Sequence, residues 1–254
     1  MKIDCLMGTC GRYSLACEAL SCFLEQTALS SATLLVYNQH EIPLQFCHPR
    51  VRVVNEVPPA GSLRHIRRRM IELADPTANL IHFWDDDDLY LPWHLRACLD
   101  GIEDAPAWKP RSSWLSVENV RYSRHENRFE GSWVFQADYL RSAPIDTDPT
   151  YTDHPVYMQT ERLGQLRSTE LAGRTSYIYR WSNAFEHVSA GLDEGSEEQQ
   201  AQRLLGWRER SRDVRQDGKL VAVSLRRRWR QYLDGTKHLV AREDWEANRR
   251  EVAM

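Results

Sequence analysis

The chain contains no apolar run approaching the roughly 20 residues of a membrane-spanning helix. Its start, "MKIDCLMGTC", is too short and mixed for a secretion signal and carries Asp4 within it. No Cys-x-x-Cys pair occurs among the cysteines at 5, 10, 17, 22, 47 and 98, and their spacing follows no familiar zinc pattern. Most of them interrupt apolar stretches, where a reduced thiol packs as a small hydrophobe. Internal repeats and low-complexity segments are missing too. A net charge of −3 excludes strong overall attraction to nucleic acid or anionic membranes, while leaving local basic patches open. These absences lead to the expectation of a soluble cytoplasmic protein. Its 254 residues, 42% hydrophobic and 27% charged, suffice for one large packed domain or a domain with an appended piece.

Periodicity orders the first hundred residues. "KIDCLM" (2–7) reads as a strand ended by "GTCGR", and "YSLACEALSCFLEQT" (13–27) places Leu15, Ala19, Cys22 and Phe23 at helical spacing. Strands follow at "ATLLVYN" (32–38) and "RVRVVNEV" (50–57). After the break at "PPAGS" come a helix, "LRHIRRRMIELA" (63–74), and a strand, "NLIHFW" (79–84). The order β-α-β-β-α-β predicts an α/β fold with a mostly parallel sheet flanked by helices.

The last of these strands empties into Asp85, Asp86, Asp87 and Asp88. Open α/β sheets bind ligands beyond the carboxyl ends of their strands. "GTCGR" and Asn38 end two other strands on that same rim. Adjacent carboxylates repel one another, and a divalent cation relieves that repulsion. Oxygen-only ligands favour Mg²⁺ or Mn²⁺, often shared with substrate phosphates. The competing reading is a solvated acidic turn, with Asp88 capping a helix that starts near Leu91–Pro92.

Four stretches taken in order, "GTCGRYSLACEALSCFLEQT", "LLVYN", "GSLRHIRRRMIELA" and "HFWDDDDLYLPWHL", resemble the nucleotide-binding half of GT-A-fold glycosyltransferases of the family-2 type. The resemblance implies a nucleotide-diphosphate sugar, linked to UDP or GDP, held over Mn²⁺ or Mg²⁺. It places Thr9, Arg12, Asn38, Arg64, Arg67, Asp85 and Asp86 around the nucleotide. Asp85 and Asp87 match the family's DxD pair, with Asp86 and Asp88 as the alternative register. Arg64 and Arg68 are expected to share the helical face of Arg67. Where the family has an Asp against the nucleobase, this chain has Asn38.

The second half is expected to supply the acceptor side. "SSWLSVENVRYS" and "RFEGSWVFQADYL" read as strands joined by a "RHEN" turn. Trp133 suits either a sugar platform or the core. By resemblance Asp153 in "YTDHPVYMQTERLG" is the general base, with Glu161 as the fallback, and His187 beyond "YIYRW" completes the metal shell with Asp85, Asp87 and Asp88. Domain bounds follow: 1–191 as the transferase unit, divided at 100/101, and 192–254 as a charged, mainly helical extension. Its basic "LRRRWRQ" is read either as an amphipathic helix packing Trp229 or as a surface for a polyanion. The resulting expectation is a metal-dependent, inverting glycosyltransferase acting on a glycan or small-molecule acceptor. Glycosylation of modified DNA bases and nucleotidyl transfer are the alternatives.

Overall fold

The computed structural model describes residues 1–10, 12–56, 63–117, 121–127, 129–143, 154–169, 175–181 and 221–222. Its first elements are β1 (Ile3–Thr9), α1 (Tyr13–Leu24), β2 (Ala32–Asn38), β3 (Leu44–Gln45), β4 (Val51–Asn55), α2 (Leu63–Leu73) and β5 (Leu80–Phe83). Then come β6 (Leu89–Tyr90), α3 (His94–Ile102), β7 (Ala107–Pro110), β8 (Ser112–Val117) and β9 (Arg121–Glu126). Next are β10 (Val134–Gln136), α4 (Ala137–Ser142), α5 (His154–Arg162), β11 (Leu166–Thr169), β12 (Tyr177–Trp181) and β13 (Val221–Ala222).

Seven strands form the central sheet, in the order β11-β7-β10-β5-β1-β2-β4. β1 runs parallel to β2 and β5, and β2 runs parallel to β4, as the βαβ order predicts. Only β10 opposes its neighbours β5 and β7. Both faces of the sheet are covered, which is why β1 and β5 read as nearly unbroken apolar runs. On one face Ile3, Cys5, Met7, Val36, Leu80 and Trp84 pack with α1 and α3. On the other, Leu6, Leu35, Tyr37, Ile81 and Phe83 pack with α2, α4 and α5.

A second, four-stranded sheet, β6-β12-β8-β9, stands beside the first. Here the structure corrects the sequence reading. Residues 112–123 do not form one strand, and "RHE" belongs to β9, which pairs antiparallel with β8 from Ser112↔Glu126 to Val117↔Arg121. β9 is an edge strand, and charged side chains on an edge give it the composition of a turn. Val134–Gln136 joins the other sheet entirely. In the C-terminal region the described residues are Val221–Ala222, a short strand parallel to Leu44–Gln45. The rest of the extension, including Trp229 and the basic patch, lies outside the described residues.

Gln26 ties the two sheets' connections together. Its side-chain amide donates to the carbonyls of Cys22 and Leu91 (both 2.9 Å), and its Oε1 accepts from the Leu95 backbone N–H at 2.9 Å. One buried side chain thus closes the end of α1 and fixes the segment that leads from the aspartates into α3. Replacing it with an apolar isostere takes the acceptor from the Leu95 N–H and one of two donors from the Leu91 carbonyl, which keeps the His94 N–H. Gln26→Leu should therefore lower stability by about 1–3 kcal/mol in urea unfolding. An unchanged midpoint would show that this contact contributes nothing.

Candidate functional site

Asp85–Asp88 leave the carboxyl end of β5, and the structure makes them unequal. Asp85 and Asp87 keep 27% and 14% of their side-chain surface, whereas Asp86 keeps 2%. Asp88 is buried as well. The strand has ended at Phe83 and the chain turns through residues 86–88, which leaves the four side chains alternately half-buried and buried. Two carboxylates face outward and two face in.

Each carboxylate has a counterpart, and Arg12 serves two of them. The Arg12 guanidinium donates to Asp86 and to Asp87 Oδ2, the latter at 2.8 Å. Arg67 donates to Asp85 Oδ1 at 2.8 Å while its guanidinium carbon sits 4.4 Å from the centre of the Phe83 ring. Asp88 accepts from the Tyr177 hydroxyl and, at 2.9 Å, from the Arg180 backbone N–H. It caps no helix: α3 begins at His94 without a side-chain cap. Nor is it placed as an outward ligand, since both its oxygens are engaged on the inside.

Burial raises the pKa of Asp86 to about 7 against the opposing pull of Arg12, and the neighbouring carboxylates push the same way. Asp88 is raised well above the ordinary carboxylate range, first by burial and then by Asp87 and Asp85. Asp86 Oδ2 is buried and finds no hydrogen-bond partner among the described residues. The Thr9 hydroxyl, at the end of β1, faces the same carboxylate without completing a strong bond. The partly exposed carboxylates of Asp85 and Asp87 give the rim oxygen donors of the kind a hard divalent cation takes.

Three residues missed by the sequence reading hold this arrangement. Arg180, fully buried on β12, donates through Nε to the Asp87 carbonyl and through Nη1 to Glu18 Oε2 at 2.6 Å. It links β12, α1 and the aspartates across more than ninety residues of sequence. Tyr90 accepts from the Asp85 N–H at 2.8 Å and donates to the Gly131 carbonyl at 3.1 Å. Gly131 must lack a side chain, because a Cβ there would stand 2.5 Å from Asp85 Oδ2 and 2.6 Å from the Tyr177 hydroxyl. Only a polar Arg inside an apolar strand, "YIYRW", hinted at any of this from sequence.

Other expected residues fall elsewhere. Asn38 is buried, its amide donating to the Ile42 carbonyl and Asn55 and its Oδ1 accepting from the His40 N–H, so it shapes the loop after β2. Arg68 points outward to Glu72 instead of sharing the face of Arg67, and the Arg64 side chain lies outside the described residues. Trp133 is a core residue, edge-on to Tyr157 at 4.8 Å, with Lys109 over its ring. Glu161 is exposed and paired with the buried Lys109 amine at 3.1 Å. Asp153 directly precedes α5, but it and His187 lie outside the described residues.

Breaking a buried ion pair from one side strands a charge. Glu18→Ala should cost about 3–5 kcal/mol of stability, and Glu18→Leu with Arg180→Met should recover much of it. Chemical denaturation of the wild type, Glu18→Leu, Arg180→Met and the pair, beside Glu18→Ala, tests this. Additive losses would mean that Glu18 and Arg180 act independently.

No protein-family model matches the chain, and no curated protein does. Solved structures do. The S. aureus TarS 1–349 structure in complex with UDP-GlcNAc superposes with a TM-score of 0.58 at 13% identity, covering 98% of this chain and 79% of that one. The complex of TarS 1–349 with UDP gives 0.52 at 12%, covering 85% and 68%. The Pyrobaculum calidifontis mannosyltransferase PcManGT, in complex with GDP-Man and Mn²⁺, gives 0.50 at 13%, covering 94% and 75%. Against the longer TarS chain the match spans 37% of its length. Seven strands in mixed but mostly parallel order, with helices on both faces, agree with that likeness: the chain has the α/β fold of GT-A glycosyltransferases.

Proposed function

We propose that this chain is a metal-dependent, inverting glycosyltransferase that moves a sugar from a nucleotide diphosphate to an acceptor hydroxyl. One observation supports it most: at the end of β5 two carboxylates, Asp85 and Asp87, turn outward between Arg12 and Arg67. Two anions and two guanidinium groups on one rim suit a diphosphate bridged by a cation better than either partner alone. The structural neighbours with UDP, UDP-GlcNAc, or GDP-Man and Mn²⁺ bound are consistent with it.

Asp85 and Asp87 would hold Mn²⁺ or Mg²⁺, which when bound offsets the negative charge growing on the leaving diphosphate. Arg12 and Arg67 lie where they can meet diphosphate oxygens as well as the carboxylates. With Asn38 committed to its loop, the buried Gln39, whose Oε1 lacks a partner among the described residues, is the better group to meet a base edge. Asp153 takes the proton from the acceptor hydroxyl as that oxygen attacks the anomeric carbon. The bond from that carbon to the diphosphate breaks, and the nucleoside diphosphate leaves.

A panel of UDP- and GDP-sugars with Mn²⁺, read by released nucleoside diphosphate, tests this reading. One donor should turn over, and Asp87→Asn should abolish Mn²⁺-dependent donor binding in calorimetry with the circular dichroism spectrum unchanged. Asp153→Asn should lower turnover by about 10²–10⁴-fold with donor affinity retained; the same loss in Glu161→Gln instead would move the base. Consumption of a sugar phosphate with a nucleoside triphosphate would replace the proposal with nucleotidyl transfer. Release of nucleoside diphosphate only with modified DNA would fix the acceptor instead.

A further inference from the structure

Behind the rim, on the α1–α3 side of β5, lies a group of side chains that the transfer chemistry does not use. His82 on β5 and His94 and Cys98 on α3 are all fully buried. His82 Nε2 and His94 Nε2 are 2.8 Å apart, and Cys98 Sγ is 3.7 Å from the same His94 nitrogen. The three ligating atoms lie within 4.8 Å of one another. His94 Nδ1 meets Ser176 Oγ at 2.9 Å, an outer contact of the kind that orients a ligating imidazole. Cys5, buried in the same core, is the direct register partner of His82 across β1 and β5.

Packing alone does not account for this choice of residues. Leucine fills a core without the cost of burying two imidazoles, and His82 Nδ1 has no hydrogen-bond partner among the described residues. Two Nε2 atoms that face each other need a proton or a cation between them. In tetrahedral zinc sites the nitrogens are roughly 3.3 Å apart and nitrogen and sulfur roughly 3.6 Å, as follows from the usual bond lengths. The His94–Cys98 edge already has that length and the imidazoles need separate by about half an ångström, while the Cys5 thiol, outside the group of three within 4.8 Å, must turn from its place beside His82 to complete the set. Burial keeps both rings neutral, the form that ligates.

We propose that His82, His94 and Cys98, completed by Cys5, form a buried structural zinc site. Zn²⁺ enters as two thiol protons leave, so two thiolates and two neutral imidazoles give a site of zero net charge, as a place without water requires. The ion would join β1, β5 and α3 directly behind the aspartates. Tyr90 lies 5.5 Å from the His82 ring and 5.1 Å from the His94 ring, centre to centre, and accepts from the Asp85 N–H, so the clamp supports the carboxylate rim.

The test uses full-length protein in a Cys47→Ser background, which removes the exposed thiol. Elemental analysis should find one zinc per chain, and Co²⁺ exchange should give a thiolate-to-cobalt charge-transfer band, which the oxygen ligands of Asp85 and Asp87 cannot produce. Cys98→Ser should lose that band, Cys5→Ser should weaken it, and Asp87→Asn should keep it. Should Cys98→Ser fail to fold, the Cys5→Ser spectrum and the zinc content decide. Folded protein without zinc or a cobalt band would overturn the proposal, and so would a band that survives Cys98→Ser or vanishes in Asp87→Asn.

Discussion

Four adjacent carboxylates must be kept from repelling one another, and the rest of the architecture is arranged around that constraint. The fold divides them. Asp86 and Asp88 turn inward, where Arg12, Tyr177 and the Arg180 backbone receive them, while Asp85 and Asp87 turn outward. Burial alone would drive the inner pair toward protonation, and the donors around them oppose that drift. The outer pair keeps part of its surface and its charge-bearing neighbours. That asymmetry leaves Asp85 and Asp87 as the pair proposed above to hold the cation.

Holding the division requires elements far apart in sequence. β12 brings Tyr177 and Arg180 back to the rim by pairing with β6 and β8. Arg180 in turn needs Glu18 from α1, since a lone guanidinium buried this deeply would be costly. Gly131 lets the turn before β10 come within reach of Asp85, and Phe129, which opens that turn at φ 67°, stacks its ring on Tyr179 at 4.6 Å. A non-glycine residue at positive φ held by stacking is a local cost accepted next to the site.

Much of this was legible in the sequence, for a physical reason in each case. Period-two and period-3.6 patterns report burial, so β1, α1, β2, β4, α2 and β5 could be placed, and the strand-end rule then located the rim. The order of charges and small residues carried the likeness to the glycosyltransferases. Pairing between distant strands was not legible, because it leaves no local period; hence the second half of β9, residues 124–126, read as a turn and Arg180 passed unnoticed. Asn38 shows the other limit. A residue's type says what it can bond, while the loop around it decides what it does bond.

Anomalous scattering at the manganese edge, from crystals grown with UDP and Mn²⁺, bears most directly on the central claim. The account predicts an anomalous peak within bonding distance of Asp85 or Asp87, bridging to the diphosphate, with Asp88 still held by Tyr177 and Arg180. UDP bound on the rim with no manganese at these carboxylates, or manganese seated on Asp86 and Asp88 instead, would contradict it.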